Sequence, residues 1–420
     1  MQLRKVLATA LGVERIVVTS AKVEGDALVF EVRPVKNERR RCSQCGIRCP
    51  GYDSGGGLRR WRALDIGRTP VFIEALAPRV ECKEHGVVVE RVPWARPAST
   101  FTRTFEDVVG WCAKQMSKTA VAGLMRVAWE TVGAILGRVV ADAKKGKDLL
   151  DGLVRIGIDE VSYRKGHKYL TVVVDHGTGR IVWAREGRDK KTLAEFFDEL
   201  GPERVGRLTH VSADAAAWIG DVVRERCPNA ALCIDPFHVV AWGTEALDEV
   251  RRGVWNASRK AGERDTAKVV KGARFALLKN PENLTDRQKA RLSALETLNK
   301  PLYRAYLIKE MLRLVFATKG EEGIELLHKW LAWAQRCRIP AFVKLAARIR
   351  RHRAGIEAAL THRVSNGRVE ATNNQIRLLT RLAHGFHSAT ALIALVFLKL
   401  GGLAIDLPPR PSIGTPTNIL

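Results

Sequence analysis

Three things are scarce in this chain, and each scarcity excludes something. Long apolar runs are missing. Across 420 residues the nearest approach is ATALIALVFLKLGGLAI, which Lys399 and two glycines interrupt, so no segment reads as a membrane span. The N-terminal MQLRKVLATALGVERIVV is amphipathic and has neither the apolar centre nor the small-residue cleavage site of a secretory signal, which makes the cytoplasm the expected location. Acidic side chains are also short: 45 Asp and Glu stand against 70 Lys and Arg, a formal net charge of +25. Such an excess makes a polyanion the expected partner, because each base set against a phosphate releases a condensed counterion. The stretch 241–360 alone carries 25 basic and 13 acidic side chains, a balance of +12. Solvated helix faces could account for part of that; a surplus of this size favours nucleic acid. The third absence is a disulfide framework, which eight cysteines in a chain without a secretory signal do not provide.

What the chain does have is ordered along its length, which is enough for two or three domains. Cys112, Cys227, Cys233 and Cys337 lie among apolar neighbours and read as core thiols, whereas the other four cysteines cluster. In NERRRCSQCGIRCPGYD and VFIEALAPRVECKEHGVVV, Cys42-x-x-Cys45 precedes Cys82-x-x-His85 by 36 residues. Two such knuckles offer four soft or borderline ligands to one tetrahedral zinc ion, and a strand-like spacer between them predicts a zinc ribbon rather than a helical finger. Cys49 is a spare that could substitute for one of the four. Downstream, SKTAVAGLMRVAWETVGAILGRVV has two short helical patterns separated by a turn near Arg126–Trp129. That is the layout of a helix-turn-helix whose second helix opens around Thr131, and any helical hairpin would share it.

After the basic KKGKD the periodicity changes. LVRIGID reads as an apolar strand, HKYLTVVVDHGTGRIVWARE as a hairpin, DKKTLAEFFDELG as a helix, RLTHVSAD as a strand, AAAWIGDVVRERCP as a helix and NAALCID as a strand. The order β-β-β-α-β-α-β predicts a ribonuclease-H-like α/β core. Helical patterning then runs from 238 to about 360, with turns at KNPENLTD and NKP, and a final long helix is expected to reach about Leu400. The expected domains are therefore a zinc ribbon over 1–97, a helix-turn-helix region over 98–147, and a catalytic domain over 148–400 with a helical insertion at about 239–360. A Pro-rich, polar tail over 401–420 is expected to be disordered.

In that strand order the first and fourth strands are neighbours. Asp159 ends the first and Asp214 the fourth, so their carboxylates would leave the same edge close enough to share divalent metals. Such ions activate a water or hydroxyl and stabilise the leaving oxygen of a phosphoryl transfer. The third acid would be Glu370, the one carboxylate in SNGRVEATNNQIRLLTR. Val369, Ile376, Leu379 and Ala383 make one helical stripe, suited to packing on the sheet. Glu370, Asn374, Arg377 and Arg381 make the next, with amides and guanidiniums suited to phosphate or base edges. Alone, an acid there reads as a first-turn residue complementing the helix dipole, with Ser365 or Asn366 as the cap; the rest of the sequence favours the metal-ligand reading.

GIDEVSYRKGHKYLTVVVD, ALCIDPFHVV and SNGRVEATNNQIRLLTRLAHGF resemble the three conserved blocks of bacterial insertion-sequence transposases of the ISL-three family. The resemblance spans about 40–400. It implies a DDE enzyme acting on double-stranded DNA, a catalytic and magnesium-binding triad of Asp159, Asp214 and Glu370, a zinc-binding N-terminal segment and a helical insertion between the second and third acids. The 155 residues between Asp214 and Glu370 leave room for that insertion. It also implies action as a homodimer or higher homo-oligomer on paired element ends. This chain has His85 where the family usually ends its second knuckle in Cys, and Ala371 where Gly commonly follows the Glu. Asp235-x-x-His238 resembles a D-x-x-H signature beside the metal site of transposases with helical insertions, and makes Asp235 the runner-up for the second acid. Otherwise Asp235 is a helix cap and His238 a core residue. The competing functions are a DNA-binding regulator and a ribonuclease-H-like nuclease or resolvase that cuts without joining. Terminal inverted repeats flanking the coding region would distinguish them from a transposase.

Overall fold

The structure, a computed structural model, describes residues 7–9, 11–386, 388–405 and 407. The chain divides into two compact units, Met1–Asp148 together with Leu379–Leu420, and Leu149–Leu378.

The first unit opens with β1 (Ile16–Glu24), β2 (Ala27–Pro34), β3 (Gly51–Asp53), β4 (Leu58–Ile66), β5 (Thr69–Leu76), β6 (Arg79–Cys82) and β7 (Gly86–Val89). These form a four-stranded sheet of order β1-β2-β5-β4 and a three-stranded sheet of order β3-β6-β7. Alternation in β2 and β5 turns Phe30, Val32, Val71 and Ile73 inward, onto Trp61 and Trp94, whose rings meet edge-to-face with centroids 5.4 Å apart. Three helices follow: α1 (Arg103–Gln115), α2 (Lys118–Met125) and α3 (Trp129–Ala143). Ser117 caps α2, and Arg126 ends it in the left-handed conformation at φ 54°. The α2–α3 pair turns through 99° at that break. No single described helix is long and apolar enough to cross a membrane.

The second unit is built on β8 (Arg155–Arg164), β9 (Lys168–Asp175), β10 (Ile181–Glu186), β11 (His210–Ala213) and β12 (Ala231–Ile234), in the order β10-β9-β8-β11-β12. The first three strands are antiparallel, and β11 and β12 continue the sheet in parallel with β8. The expected element order is present, with β8 and β11 adjacent. One expectation needs correction: Asp159 does not end its strand. Pairing of β8 with β11 stops at Gly157↔Ser212, while pairing with β9 carries β8 on to Arg164↔Lys168. Asp159 therefore sits just beyond the parallel half of the sheet.

Helices α4 (Lys190–Leu200), α5 (Pro202–Val205) and α6 (Ala217–Arg226) carry the crossovers. Phe196, Leu193, Ile219 and Val223 bury one sheet face together with Ile156, Ile158 and Val211. The helical stretch then runs through α7 (Pro236–Lys260), α8 (Arg264–Gly272), α9 (Arg274–Leu278), α10 (Asp286–Leu298), α11 (Lys300–Thr318), α12 (Gly320–Arg336), α13 (Pro340–Arg351) and α14 (Arg353–His362). Local chemistry sets the starts: Pro236 and Pro340 occupy first-turn positions, and Thr285 and Gln288 form a reciprocal capping box on α10. Trp330, Phe342, Leu312 and Ile349 anchor this helical core. Gly355 lets α14 lie against β12, since a Cβ there would fall 2.6 Å from Ile234 Cγ1.

The last helical segment is two helices, α15 (Gly367–Leu382) and α16 (Ala389–Leu400), where one long helix was expected. His384 at φ 52° and Gly385 at φ 104° stop the first in left-handed backbone, and Ser388 caps the second through the Ala391 N–H. Along α15, Val369, Ile376 and Leu379 are buried as the stripe requires, while Ala383 lies past the helix end and is half-exposed. Within the first unit, α16 packs on α1 and α3: Lys144 Nζ lies 3.4 Å from the Phe397 ring centroid, and Gly110 and Gly133 leave room for Ile405 and Ala391. Of the expected tail, only 401–405 and 407 are described.

Candidate active site

The paired knuckles come together. Cys42 and Cys45 lie on a turn in which the Gly46 N–H bonds to the Cys42 carbonyl (2.9 Å), with Gly46 at φ 73°. Cys82 and His85 lie in the β6–β7 turn, closed by the Cys82↔Gly86 pair. One ligand atom from each of Cys42, Cys45, Cys82 and His85 lies within 4.8 Å of all the others. His85 Nδ1 is 3.7 Å from Cys42 Sγ and 3.6 Å from Cys82 Sγ, and the two sulfurs of Cys45 and Cys82 are 3.8 Å apart. Hydrogen bonding with the His85 ring, then with the His85 and Glu84 N–H groups, brings the Cys82 thiol down to about 6, towards the thiolate a metal needs. Cys49 is buried beside the group but outside this four-atom set, and its Sγ donates to the Ile47 carbonyl at 3.4 Å.

The second site gathers carboxylates where β8, β11 and β12 end their parallel pairing. Asp159 is held on both oxygens: the Glu160 N–H donates to Oδ1 at 2.7 Å, and Asn373 Nδ2 of α15 donates to Oδ2 at 2.6 Å. Burial pushes Asp159 up to about 6, against the Glu160 N–H and with the Asp214 and Asp235 charges adding to it. Asp214 follows β11 and accepts the Ala216 N–H at 2.8 Å. Asp235 follows β12 and caps α7; it is 2% exposed, its Oδ1 accepts weak bonds from Phe237 and Asn366, and its Oδ2 has no hydrogen-bond partner. His238 Nε2 lies 3.7 Å from that oxygen. Glu370 is half-buried, and burial, then the Asp235 charge, raises its pKa, with His238 and Arg377 opposing. Asn374 and Arg377 lie on the exposed side of α15, 3.1 Å apart.

Close packing brings α15 in. A Cβ on Gly157 would collide with the Val369 side chain and fall 2.9 Å from His176 Nε2, so only glycine on β8 lets Val369, and with it Glu370, approach. His176 Nε2 and Ser212 Oγ are 2.6 Å apart, Ser212 Oγ donates to Asn366 Oδ1, and Arg368 donates to the His176 and Gly177 carbonyls. These contacts pin the start of α15 to the hairpin and to β11.

The structure thus brings Asp159 together with Asp214 and Asp235, and Asp235 with Glu370 and His238, through mutual electrostatics. Their oxygens are more widely spread than the cysteine–histidine set, the sole group among the described residues with three or more such ligand atoms within 4.8 Å. Sequence reading missed two participants. Glu160 is nearly buried, pairs with Arg188 at 2.9 Å, leaves Oε1 without a hydrogen-bond partner, and is pushed up to about 7 by burial and then by Asp214. Asn373, not Asn374, is the amide that reaches an acid; its place on the buried side, next to Ile376 on the helix wheel, was the available signal.

Comparison with known proteins defines the class first. Residues 38–85 match the zinc-finger of transposases IS204/IS1001/IS1096/IS1165, residues 90–140 match the helix-turn-helix domain of transposase family ISL3, and residues 156–396 match the ISL3 DDE transposase domain. The chain belongs to the ISL3 family and is an insertion-sequence transposase. It is 55% identical over 406 residues to the transposase for insertion sequence element IS1557 of Mycobacterium tuberculosis, in two strains, covering 92% of this chain and 91% of that one. It is 29% identical over 348 residues to the transposase for insertion sequence element IS1001 of Bordetella parapertussis, covering 82% and 85%. The family expected from the three sequence blocks is therefore the family found, and the regulator reading is set aside.

Proposed function

We propose that this transposase binds the terminal inverted repeats of its element as double-stranded DNA and carries out metal-dependent strand cleavage and transfer, with Asp159, Asp214 and Glu370 as the essential acids. The supporting observation is a cluster of half-buried carboxylates around the buried Asp235, at the end of a β10-β9-β8-β11-β12 sheet, with Asp235 Oδ2 and Glu160 Oε1 lacking hydrogen-bond partners. Burial first, and neighbouring acid charges after it, raise these pKa values, a setting that a bound cation would relieve. Hard oxygen donors suit magnesium, so the residues fit it; Asp159, Asp214 and Glu370 would hold it, with Asp235 as the alternative second ligand. Divalent ions there would supply activation of a water or DNA 3′-hydroxyl and stabilisation of the leaving oxygen. The protein's own part is orientation. Glu160 N–H and Asn373 fix the Asp159 carboxylate, the Ala216 N–H fixes Asp214, and α15 presents Asn374 and Arg377 beside Glu370 for phosphate. The cysteine–histidine cluster fits a structural zinc ion, since its four ligands leave no open position for chemistry. Two ends must be processed together, which makes a homodimer the working assembly.

The test uses purified full-length protein and DNA bearing the element's ends. Glu370→Gln, Asp159→Asn and Asp214→Asn should each abolish Mg²⁺-dependent cleavage and joining while leaving end binding and melting temperature near wild type; Asp235→Asn should be milder. Strand transfer by Glu370→Gln at a near wild-type rate would reduce that residue to a first-turn acid, worth about 0.3–1 kcal/mol of stability. A dead Asp235→Asn beside an active Asp214→Asn would exchange their roles.

A further inference from the structure

The helical stretch between the second and third acids carries an arginine whose setting the acids do not explain. Asp235, His238 and Trp242 stand at i, i+3 and i+7 and so share one face of α7, leading away from the carboxylate cluster. Trp242 is 8% exposed. The Arg348 guanidinium of α13 lies over its ring, 3.7 Å from the centroid, and the His352 ring lies 5.9 Å from it, tilted by 47°. Among the described residues this indole is the one side-chain partner of the Arg348 guanidinium; no carboxylate lies within ion-pair distance. The Glu245 charge and, more weakly, the Asp214 charge nevertheless act on Arg348, and the Arg348, Arg351 and Arg224 charges act on His352. A basic cluster thus borders the acid site, with its central member seated on an indole and in no ion pair.

Stacking uses the face of a guanidinium and leaves its N–H edge free, pre-oriented for a bidentate acceptor. From Asp235 to Trp242 is about 10 Å along the helix axis, or about three nucleotide steps at ~3.4 Å per step of one strand. We propose that Arg348, seated on Trp242, binds one backbone phosphate of the DNA strand about three nucleotides from the scissile bond. The inference rests on the reading of Asp159, Asp214 and Glu370 as the reacting centre. In this role Arg348 is a positioning residue. It sets the register of the strand and takes no part in bond making.

The experiment replaces single phosphates of element-end DNA with neutral methylphosphonates, one position at a time, and measures binding and Mg²⁺-dependent cleavage by the full chain. In the wild type, one position about three nucleotides from the cut should be sensitive. In Arg348→Ala that sensitivity should vanish while other sensitive positions remain, and log K should fall less steeply with log salt, by about 0.9. Arg348→Lys should restore the salt slope. Arg348→Gln, which puts a neutral planar amide in place of the guanidinium, replaces alanine if alanine lowers the melting temperature. An Arg348→Ala map identical to wild type would overturn the inference, as would a loss that follows base identity and not phosphate charge. A wild-type protein that fails to cleave any element end would instead overturn the underlying reading of the acids.

Discussion

Asn373 and Glu370 show how differently two residues three apart on one helix can be read. Glu370 was legible because it is a lone carboxylate among amides and guanidiniums. Asn373 was not, because its partner Asp159 lies 214 positions away and nothing local distinguishes it from Asn374. Asn373→Ala should free one buried oxygen of Asp159, costing about 1–3 kcal/mol in melting experiments and weakening Mn²⁺ binding measured by titration. Asn374→Ala should do neither, and equal effects from the two would remove the assigned difference. A second consequence concerns pH. Asp159 at about 6 and Glu160 at about 7 hold protons in the folded chain that the unfolded chain, with carboxyls near 4, has released. Between about pH 4 and 7 these two groups bind more protons in the native state, so their contribution to stability rises as pH falls through that window. Burial lowers the pKa of His176, His210 and His352, which opposes this below about pH 6.5. Carboxylates held below their ordinary range, such as Asp175 and Glu357, oppose it at lower pH still. In magnesium-free buffer Glu160→Gln, which keeps the side chain neutral at every pH, should therefore raise the melting temperature more at pH 7.5 than at pH 5; an equal shift at both would remove this assignment.

At the scale of elements, spacing carried far. The x-x knuckles fixed which four ligands converge, and hydrophobic periodicity gave β8 to β12 and their crossovers in order. Two boundaries were wrong for identifiable reasons. Strand β8 runs past Asp159 because antiparallel pairing with β9 supports it there, a tertiary effect invisible in GIDEVSYR alone. The apolar patterns on either side of residues 383–388 were joined across AHGFHS, which passed over the break that His384, Gly385 and Ser388 make. The zinc assignment is open to direct measurement. Purified wild-type protein should contain about one zinc per chain, and the Cys42→Ser, Cys45→Ser double variant should contain none, with the β3-β6-β7 sheet losing protection from hydrogen exchange. Cys49→Ser should keep the metal; loss of zinc in that variant would make Cys49 a ligand.

At the scale of the whole molecule, sequence order and compactness part ways. The unit that holds the zinc cluster and the helix-turn-helix also takes in α16, from the far end of the chain. Read along the sequence, ATALIALVFLKL looked like the close of the catalytic segment, because periodicity shows that a helix is apolar without showing what it covers. Leu392, Leu395, Val396, Phe397 and Leu398 are all buried. At about 1.5–3 kcal/mol for each large apolar side chain, their burial is comparable with the whole stability of a small domain, about 5–15 kcal/mol. A fragment ending at Gly146 should therefore be poorly soluble or show a broad, low melting transition, because the faces of α1 and α3 against α16 are bared. Joining residues 386–407 to it through a flexible linker should restore a sharp transition. The joined protein should then bind element-end DNA specifically, with affinity falling steeply as salt rises because phosphate contacts dominate. If the fragment without α16 melts as sharply as the joined one, α16 is not needed to complete this unit. Specific binding confined to a 149–378 fragment would move end recognition out of the N-terminal half altogether.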